Sequence, residues 1–174
     1  QKSFEAFREL AQNERVLAVI GPAYEESAQE LASLAENFRL PTFSPDSQSL
    51  KLNQATPYFF RNSLTNFAEA KSLAHFSYQT LGIRSLAIVF PNEPKGIELK
   101  NYFSQGFQEW GGQIAISYPY SPDTVDFSKI VADLTAGGLS FQALFVPDSY
   151  QVGVMIASQL AFSDLTRIQL IGTS

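Results

Sequence analysis

Short, continuously apolar runs alternate with longer segments of helical periodicity along the chain. Residues 16–20, 86–90 and 143–146 are three such runs, and segments of helical spacing flank each of them. A fully apolar run between helices is typical of a parallel strand that is buried on both faces of its sheet. Repeated alternation of strand and helix predicts an α/β fold whose parallel sheets are joined by right-handed crossovers.

The segments between the runs carry apolar residues on one helical face. Leu99, Phe103 and Phe107 recur at this spacing, and Trp110 continues the stripe, so we expect its ring to pack in the core. Glycines at 111–112 end this helix, as glycines do past a helix C-terminus. The predicted strands are 16–20, 40–43, 58–61, 85–90, 113–118, 142–146 and 168–171, and the predicted helices are 2–14, 24–38, 65–81, 95–110, 127–136 and 149–162.

A break near residues 60–65 separates two stretches of this alternating pattern. We expect residues 1–62 to form part of a first lobe and residues 63–174 to form most of a second lobe. The chain opens within a predicted helix without a start methionine, and it stops just after a predicted strand. We therefore expect a fragment of a longer protein, with a targeting segment upstream.

Composition excludes several classes of function. The 174 residues contain no cysteine and a single histidine, which excludes disulfides, thiolate metal sites and a multi-histidine metal site within this chain. The net charge is -5 and basic residues do not cluster, so we expect no nucleic-acid partner. No run approaches the roughly 18 apolar residues of a membrane span. No nucleophile elbow, Walker loop or Gly-x-Gly-x-x-Gly motif is present, so we expect no enzyme and no cofactor.

Loops that follow the predicted strands are the places to look for a binding site. In open α/β sheets, ligands bind in the crevice outside the carboxyl ends of the strands. These loops are residues 21–27, 44–49, 91–96, 147–150 and 172–174.

Two loops of the first lobe leave alternatives open. Glu25 and Glu26 lie where a helix begins, so they either satisfy the helix dipole or face the cleft and favour a cationic ligand. The loop 44–49 is rich in small polar groups, which suits either an ordinary turn or the holding of a polar ligand by hydrogen bonds.

One loop of the second lobe has a similar ambiguity. Asp148 or Ser149 is a candidate helix N-cap, because short polar side chains accept hydrogen bonds from free N–H groups there. Tyr150 either stacks on a ligand or lies on the surface.

The order of these motifs resembles that of a known family. The chain is similar to branched-chain amino-acid-type binding proteins, of the type I periplasmic-binding fold with Rossmann-like lobes, over nearly its whole length. The motifs are Val19-Ile20-Gly21-Pro22, Ser27, Leu40-Pro41-Thr42-Phe43-Ser44-Pro45, Tyr58-Phe59-Phe60-Arg61, Leu86-Ala87-Ile88-Val89, Gly111-Gly112, Asp126-Phe127, Ala143-Leu144-Phe145-Val146 and Leu170-Ile171-Gly172-Thr173-Ser174.

This resemblance implies a solute-binding role outside the cytoplasm. It implies two α/β lobes joined by a hinge that close on a small polar ligand and deliver it to a membrane ABC permease. It also implies a periplasmic or other extracytoplasmic location, by secretion or a lipid anchor. Residues 59–62 and 172–174 look at least as similar to penicillin-binding protein activators, lipoproteins that stimulate cell-wall synthases. That branch is the alternative: an interaction module of the cell envelope.

The family's ligand contacts carry over only in part. Ser27 fits the expected hydroxyl contact, whereas Glu25 and Glu26 would repel a ligand carboxylate. Residues 94–96 lack the expected aromatic side chain, and residues 172–174 lack the expected acidic partner of an ammonium group. These departures argue against ordinary recognition of an α-amino acid. We predict no catalytic and no metal-binding residue, and the predicted ligand-binding residues are Ser27, Asp46, Ser47, Gln48, Ser149 and Tyr150.

Overall fold

The structure is a computed structural model of the 174-residue chain. It describes residues 2–13, 15–22, 25–45, 56–136, 140–163, 165 and 167–173. Within these ranges the chain forms two compact units, Gln1–Asn66 and Phe67–Ser174. The assignment of residues 1–62 and 63–174 to two lobes of a longer protein stays a prediction.

The alternating order of strands and helices is confirmed. The helices are α1 Lys2–Ala11, α2 Glu25–Phe38, α3 Asn66–Gln79, α4 Pro94–Glu109, α5 Ser128–Ala136 and α6 Tyr150–Phe162. The strands are β1 Val19–Ile20, β2 Thr42–Ser44, β3 Phe59–Arg61, β4 Ser85–Pro91, β5 Gln113–Tyr120, β6 Ala143–Val146 and β7 Gln169–Gly172.

The first unit is a three-stranded parallel sheet with the order β1-β2-β3. Helices α1 and α2 pack with one side of it, where Phe7, Leu31 and Phe59 are buried in a common core. The strand β1 is shorter than the predicted 16–20, because only Val19 and Ile20 pair with β2. Leu17 is exposed, so its apolar character does not reflect burial within this unit.

The second unit is a four-stranded parallel sheet with the order β5-β4-β6-β7. Leu86 and Ile88 of β4 pack in one core with α3 and α4, whereas Ala87 and Val89 pack in another core with α5 and α6. Alternate residues of β4 are therefore buried on opposite faces, which explains why its sequence is apolar without a break.

Trp110 departs from the prediction that it packs in the core. Helix α4 ends at Glu109, and Trp110 is the C-cap residue with its side chain 46% exposed. Its ring instead lies 5.0 Å from the ring of His75. The buried stripe of α4 ends at Phe107, because a side chain at the cap no longer follows the direction set by the helical period. Gly111 follows in the left-handed region (φ 93°), as the predicted helix end requires.

Candidate functional site

The strand order of the second unit creates a crevice at one sheet edge. From β4 the chain crosses outward to β5, then returns past β4 to form β6 on its other side. At such a reversal the two connecting helices lie on opposite faces, so the loops beyond the carboxyl ends of β4 and β6 diverge. The candidate site is therefore the region around Pro91 at the end of β4 and Val146 at the end of β6.

Two side chains join the strand ends across this crevice. The Tyr120 hydroxyl, at the end of β5, donates a hydrogen bond to Asp148 Oδ2 beyond β6, with an O···O distance of 2.5 Å. The other carboxylate oxygen, Asp148 Oδ1, accepts from the Ser149 backbone N–H at 2.6 Å. The Asn92 N–H donates to the Tyr120 carbonyl at 2.7 Å, which ties the loop after β4 to the same point. These bonds fix the loops of three strands to one another.

Burial sets the electrostatics of this link. Tyr120 is buried and its ring packs edge-on against Phe127, with centroids 5.0 Å apart. Burial raises the pKa of Tyr120 well above its usual range, and the hydrogen bond to Asp148 and the nearby charges of Asp148 and Glu93 raise it further. The phenol therefore stays protonated and acts as a donor to the Asp148 carboxylate.

A depression lies next to this link, between the start of α6 and the end of β7. Its volume is about 360 Å³. Ser149 occupies the N-cap position of α6, and its hydroxyl makes no capping hydrogen bond within the described residues. Tyr150 is 75% exposed and lines the same depression. The remaining lining residues are Val146, Asp148, Gly153, Val154, Ala157, Leu170, Ile171, Gly172 and Thr173.

The first unit presents its own strand ends. There the Ser44 hydroxyl donates to the Pro22 carbonyl at 2.9 Å, and the Gly21 N–H donates to the Phe43 carbonyl at 2.8 Å. These bonds hold the loop after β1 against the end of β2. The two loops that the sequence predicts to hold a ligand in this unit therefore start from adjacent points.

Comparison with known proteins assigns the chain to a family. The sequence model of the family described as periplasmic binding protein matches residues 1–174. The chain belongs to the periplasmic binding protein family. Its fold is the type I periplasmic-binding fold, as its sequence motifs predict.

Solved structures share this fold at low sequence identity. A protein described as a branched-chain amino acid ABC transporter from Rhodospirillum rubrum is 17% identical, with a TM-score of 0.82, over 98% of this chain and 48% of its own. A substrate-binding protein from Desulfitobacterium hafniense, in complex with Leu, is 22% identical, with a TM-score of 0.78, over 98% of this chain and 50% of its own. A solute-binding protein from R. palustris, in complex with 4-hydroxybenzoate, is 21% identical, with a TM-score of 0.71, over 98% of this chain and 46% of its own. This periplasmic binding protein chain thus spans about half the length of these structures.

Of the predicted ligand-binding residues, the structure brings two together. Ser149 and Tyr150 line one depression, and their role as ligand contacts stays a prediction. Ser27 lies near the start of α2 in the other unit, where the structure describes its backbone only. Asp46, Ser47 and Gln48 lie outside the described residues. Glu25 and Glu26 are in the first turn of α2, and the structure does not describe their side chains.

Tyr120 is the residue of this site that sequence reasoning missed. The predicted strand 113–118 stops short of it, whereas β5 continues through Pro119 to Tyr120. Proline is tolerated there because β5 is an edge strand, whose outward side needs no ladder hydrogen bond. Apolar residues at 114, 116, 118 and 120 alternate with 113, 115, 117 and 119, and that period could have extended the strand.

Other kinds of site find no support in the described part of the chain. None of the acidic or histidine side chains there forms a group of three or more that could hold a metal ion. Among the same residues, no helix is both long enough and apolar enough to cross a membrane.

Proposed function

We propose that this chain is part of an extracytoplasmic solute-binding protein of an ABC transport system, and that it binds its ligand without chemical conversion. The observation that carries the proposal is the open depression at the carboxyl edge of the second sheet, beside a strand-order reversal and within a family of periplasmic binding proteins. In this proposal a membrane permease receives the ligand. Secretion or a lipid anchor, carried by residues beyond these 174, holds the protein outside the cytoplasm.

The lining of the depression favours a small ligand with an apolar body and few polar groups. Val154, Ala157 and Leu170 supply apolar contact, and Ser149, Tyr150 and Thr173 supply hydroxyl groups. Small-molecule sites typically combine an apolar lining with a few polar groups that fix orientation. Amino acids and hydroxylated aromatic acids both fit this description. The D. hafniense and R. palustris structures hold one ligand of each kind, Leu and 4-hydroxybenzoate.

Asp148 has a positioning role in this proposal. Both of its carboxylate oxygens accept hydrogen bonds, from the Tyr120 hydroxyl and from the Ser149 N–H. The carboxylate therefore holds the loop from which Ser149 and Tyr150 project, and those two side chains contact the ligand. Ser27, Asp46, Ser47 and Gln48 are proposed as further ligand contacts.

A thermal-shift screen of the complete polypeptide tests the proposal. We expect one ligand among amino acids, amides and small aromatic acids, including leucine and 4-hydroxybenzoate, to stabilise the folded protein by about 2.7 kcal/mol at about a hundredfold excess over its Kd. Tyr150→Ala should weaken the shift, whereas Phe162→Ala, a change of an exposed aromatic residue at the far end of the same helix, should preserve it. The proposal fails if no member of the panel stabilises the protein, or if both variants weaken the shift equally.

A second candidate function keeps the fold and replaces the solute with a protein partner. Helix α6 exposes Tyr150, Val154 and Phe162, and contiguous exposed apolar surface is a feature of protein-binding sites. The candidate is an envelope lipoprotein that binds a cell-wall synthase, as penicillin-binding protein activators do. A pull-down with purified synthase tests it, and absence of binding at micromolar concentration would exclude it.

A further inference from the structure

One negative charge lines the depression between α6 and β7. Among the described residues that line it, Asp148 alone is charged. Its carboxylate accepts hydrogen bonds from two neutral donors, the Tyr120 hydroxyl and the Ser149 N–H. Within the described part of the chain, no basic side chain forms an ion pair with it. The half-buried charge of Asp148 is therefore held in place by hydrogen bonds but is not neutralised by a cation.

The Asp148 carboxylate keeps room for further donors. An ionised carboxylate has about four acceptor sites, two on each oxygen. The Tyr120 hydroxyl uses one site on Oδ2, and the Ser149 N–H uses one on Oδ1. Each oxygen thus retains one acceptor site. Burying a charge is costly unless the charge is paired and hydrogen-bonded, so the group that complements Asp148 best is a cation with N–H donors.

A second carboxylate adds to the negative potential at this end of the sheet. Glu93 is the N-cap residue of α4, and its side chain makes no capping hydrogen bond within the described residues. Its charge acts on the link across the crevice, since it contributes to the raised pKa of Tyr120. Like charges repel more strongly where water is partly excluded. Both carboxylates therefore oppose an anionic group in the depression.

The start of α6 would favour an anion if it stood alone. Free N–H groups and the helix dipole attract negative charge to a helix N-terminus. Asp148 immediately precedes the N-cap residue Ser149, however, and its Oδ1 accepts the Ser149 N–H at 2.6 Å. A carboxylate of the protein thus already lies at this helix end, and a ligand anion would have to be placed beside it.

We infer that the ligand of this depression is an amine with an apolar body and a net positive charge, and that Asp148 selects it by charge. The inference rests on the proposed solute-binding function and names the ligand class of the same site. The ammonium group donates to Asp148, while the apolar body packs against Val154, Ala157 and Leu170. Hydroxylated aromatic acids match the lining in size and polarity, but they are rejected because of their charge.

Calorimetric titration of the complete polypeptide tests this inference with probes that differ in charge. 4-Hydroxybenzylamine, 4-hydroxybenzyl alcohol and 4-hydroxybenzoate share a ring and a phenolic hydroxyl, and at neutral pH they are positive, neutral and negative. We expect the amine to bind at least about tenfold more tightly than the acid, with the alcohol between them, because like charges brought together at a binding site are strongly disfavoured. Leucinamide and leucine form a second, aliphatic pair, in which leucinamide should bind more tightly.

Asp148→Asn separates charge selection from packing. The substitution keeps the size of the side chain and removes its charge, so the ratio of the acid's Kd to the amine's Kd should fall at least about tenfold. Asp133→Asn is the matched control, because Asp133 also accepts a hydrogen bond from a tyrosine of β5, Tyr118, but does not line the depression. The control should leave the ratio unchanged. If Asp148→Asn weakens every probe equally, Asp148 has only a structural role and the inference is overturned.

Glu93→Gln keeps the inference testable if Asp148→Asn fails to fold. Removal of this more distant charge should lower the same ratio at least about twofold, and an unchanged ratio would overturn the inference. Binding of 4-hydroxybenzoate as tight as that of the amine, or binding of an acid or zwitterion of the thermal-shift panel in preference to every amine, would overturn the inference and leave the solute-binding proposal in place. Absence of binding by all probes and by the whole panel would overturn both.

Discussion

The two units are built from the same kinds of element but differ in how many faces of the sheet the described helices cover. In the second unit the residues of β4 from Leu86 to Phe90 are all buried, because helices pack on both sides. In the first unit burial alternates along β2, where Thr42 and Ser44 are buried and Phe43 is exposed. Similar strand sequences therefore lie in different environments, according to where the described helices pack.

The units also differ in strand order, and this difference places the candidate site. The described strands of the first unit follow chain order, β1-β2-β3, whereas the second unit reverses direction at β4. Only a reversal separates the loops at the carboxyl edge of a sheet and leaves a crevice between them. Among the described residues, the second unit is therefore the better candidate for ligand binding.

Truncating one aromatic residue in each unit should give the largest contrast. Phe145 is fully buried and its ring stacks on Phe103 at 3.9 Å, so Phe145→Ala should lower the free energy of unfolding by about 3–5 kcal/mol. Phe60→Ala should cost far less in the 174-residue chain, because the Phe60 side chain is already 45% exposed.

Urea unfolding measures both changes. Fluorescence of Trp110, the chain's only tryptophan, follows the second unit, and far-ultraviolet circular dichroism follows the helices of both units. Equal losses for the two variants would contradict the comparison, since they would show that Phe60 is as well packed as Phe145. Phe60→Ala should become more costly in the complete polypeptide if further chain packs against the Phe60 ring.

Sequence alone predicts the elements of this fold well, because each depends on local periodicity. The buried strand 85–90 and the helical stripe through Leu99, Phe103 and Phe107 needed no other information. The prediction that Trp110 packs in the core is wrong, because its exposure depends on where α4 ends, and the periodicity does not determine that residue. The sequence does not predict the exposure of Phe43 and Phe60 either, since their exposure depends on which elements pack on that face of the sheet.

Sequence predicts the candidate site less completely. It places Ser149 and Tyr150 after a buried strand, where ligand contacts are expected in this fold class. It does not reveal that Tyr120 reaches Asp148, because that contact joins strands separated in the sheet by β4. Only the strand order brings the ends of β5 and β6 to one place.

Gly96→Ala should test how closely the second unit packs around the turn from β4 to α4. A methyl group on Gly96 would lie 2.4 Å from the Pro91 carbonyl oxygen, so the backbone would have to shift. Overpacking of this kind costs about 1–3 kcal/mol. Urea unfolding followed by Trp110 fluorescence measures the loss of stability. An unchanged midpoint would contradict close packing at this turn.

Tyr120→Phe should weaken the link across the crevice. The change removes the hydrogen bond to Asp148 and leaves a carboxylate oxygen without that donor, at a cost of about 1.5–3 kcal/mol. Tyr118→Phe is the matched control on the same strand, because the Tyr118 hydroxyl donates to Asp133 at a half-buried position. A loss of unfolding free energy no larger than that of Tyr118→Phe would contradict the role of Tyr120 in joining the ends of β5 and β6.

The pH dependence of this variant has a defined sign. Burial raises the pKa of Tyr120 in the folded state above its unfolded value. The resulting stabilisation is fully present below the unfolded pKa of about 10 and is lost as the pH rises above it. The stability difference between the natural chain and Tyr120→Phe should therefore stay constant from neutral pH to about pH 9 and shrink at higher pH. Thermal unfolding across this range measures the trend. A stability difference that grows above pH 10 would contradict a raised pKa of Tyr120 in the folded state.

Gly153→Ala should give the smallest effect and the opposite sign, because a helix interior favours alanine and the added methyl group meets open space. Apart from its chain neighbours and the backbone of its own helix, no atom of the described residues lies within 4 Å of a methyl group placed on Gly153. Alanine favours a helix interior over glycine by about 0.5–1 kcal/mol. The 174-residue chain should gain about that much stability, measured by urea unfolding, while the added methyl narrows the depression and weakens binding of any ligand found by the screen. If the variant instead loses stability in the complete polypeptide alone, further chain must pack on this side of α6. The depression would then be an internal packing surface in place of a ligand site.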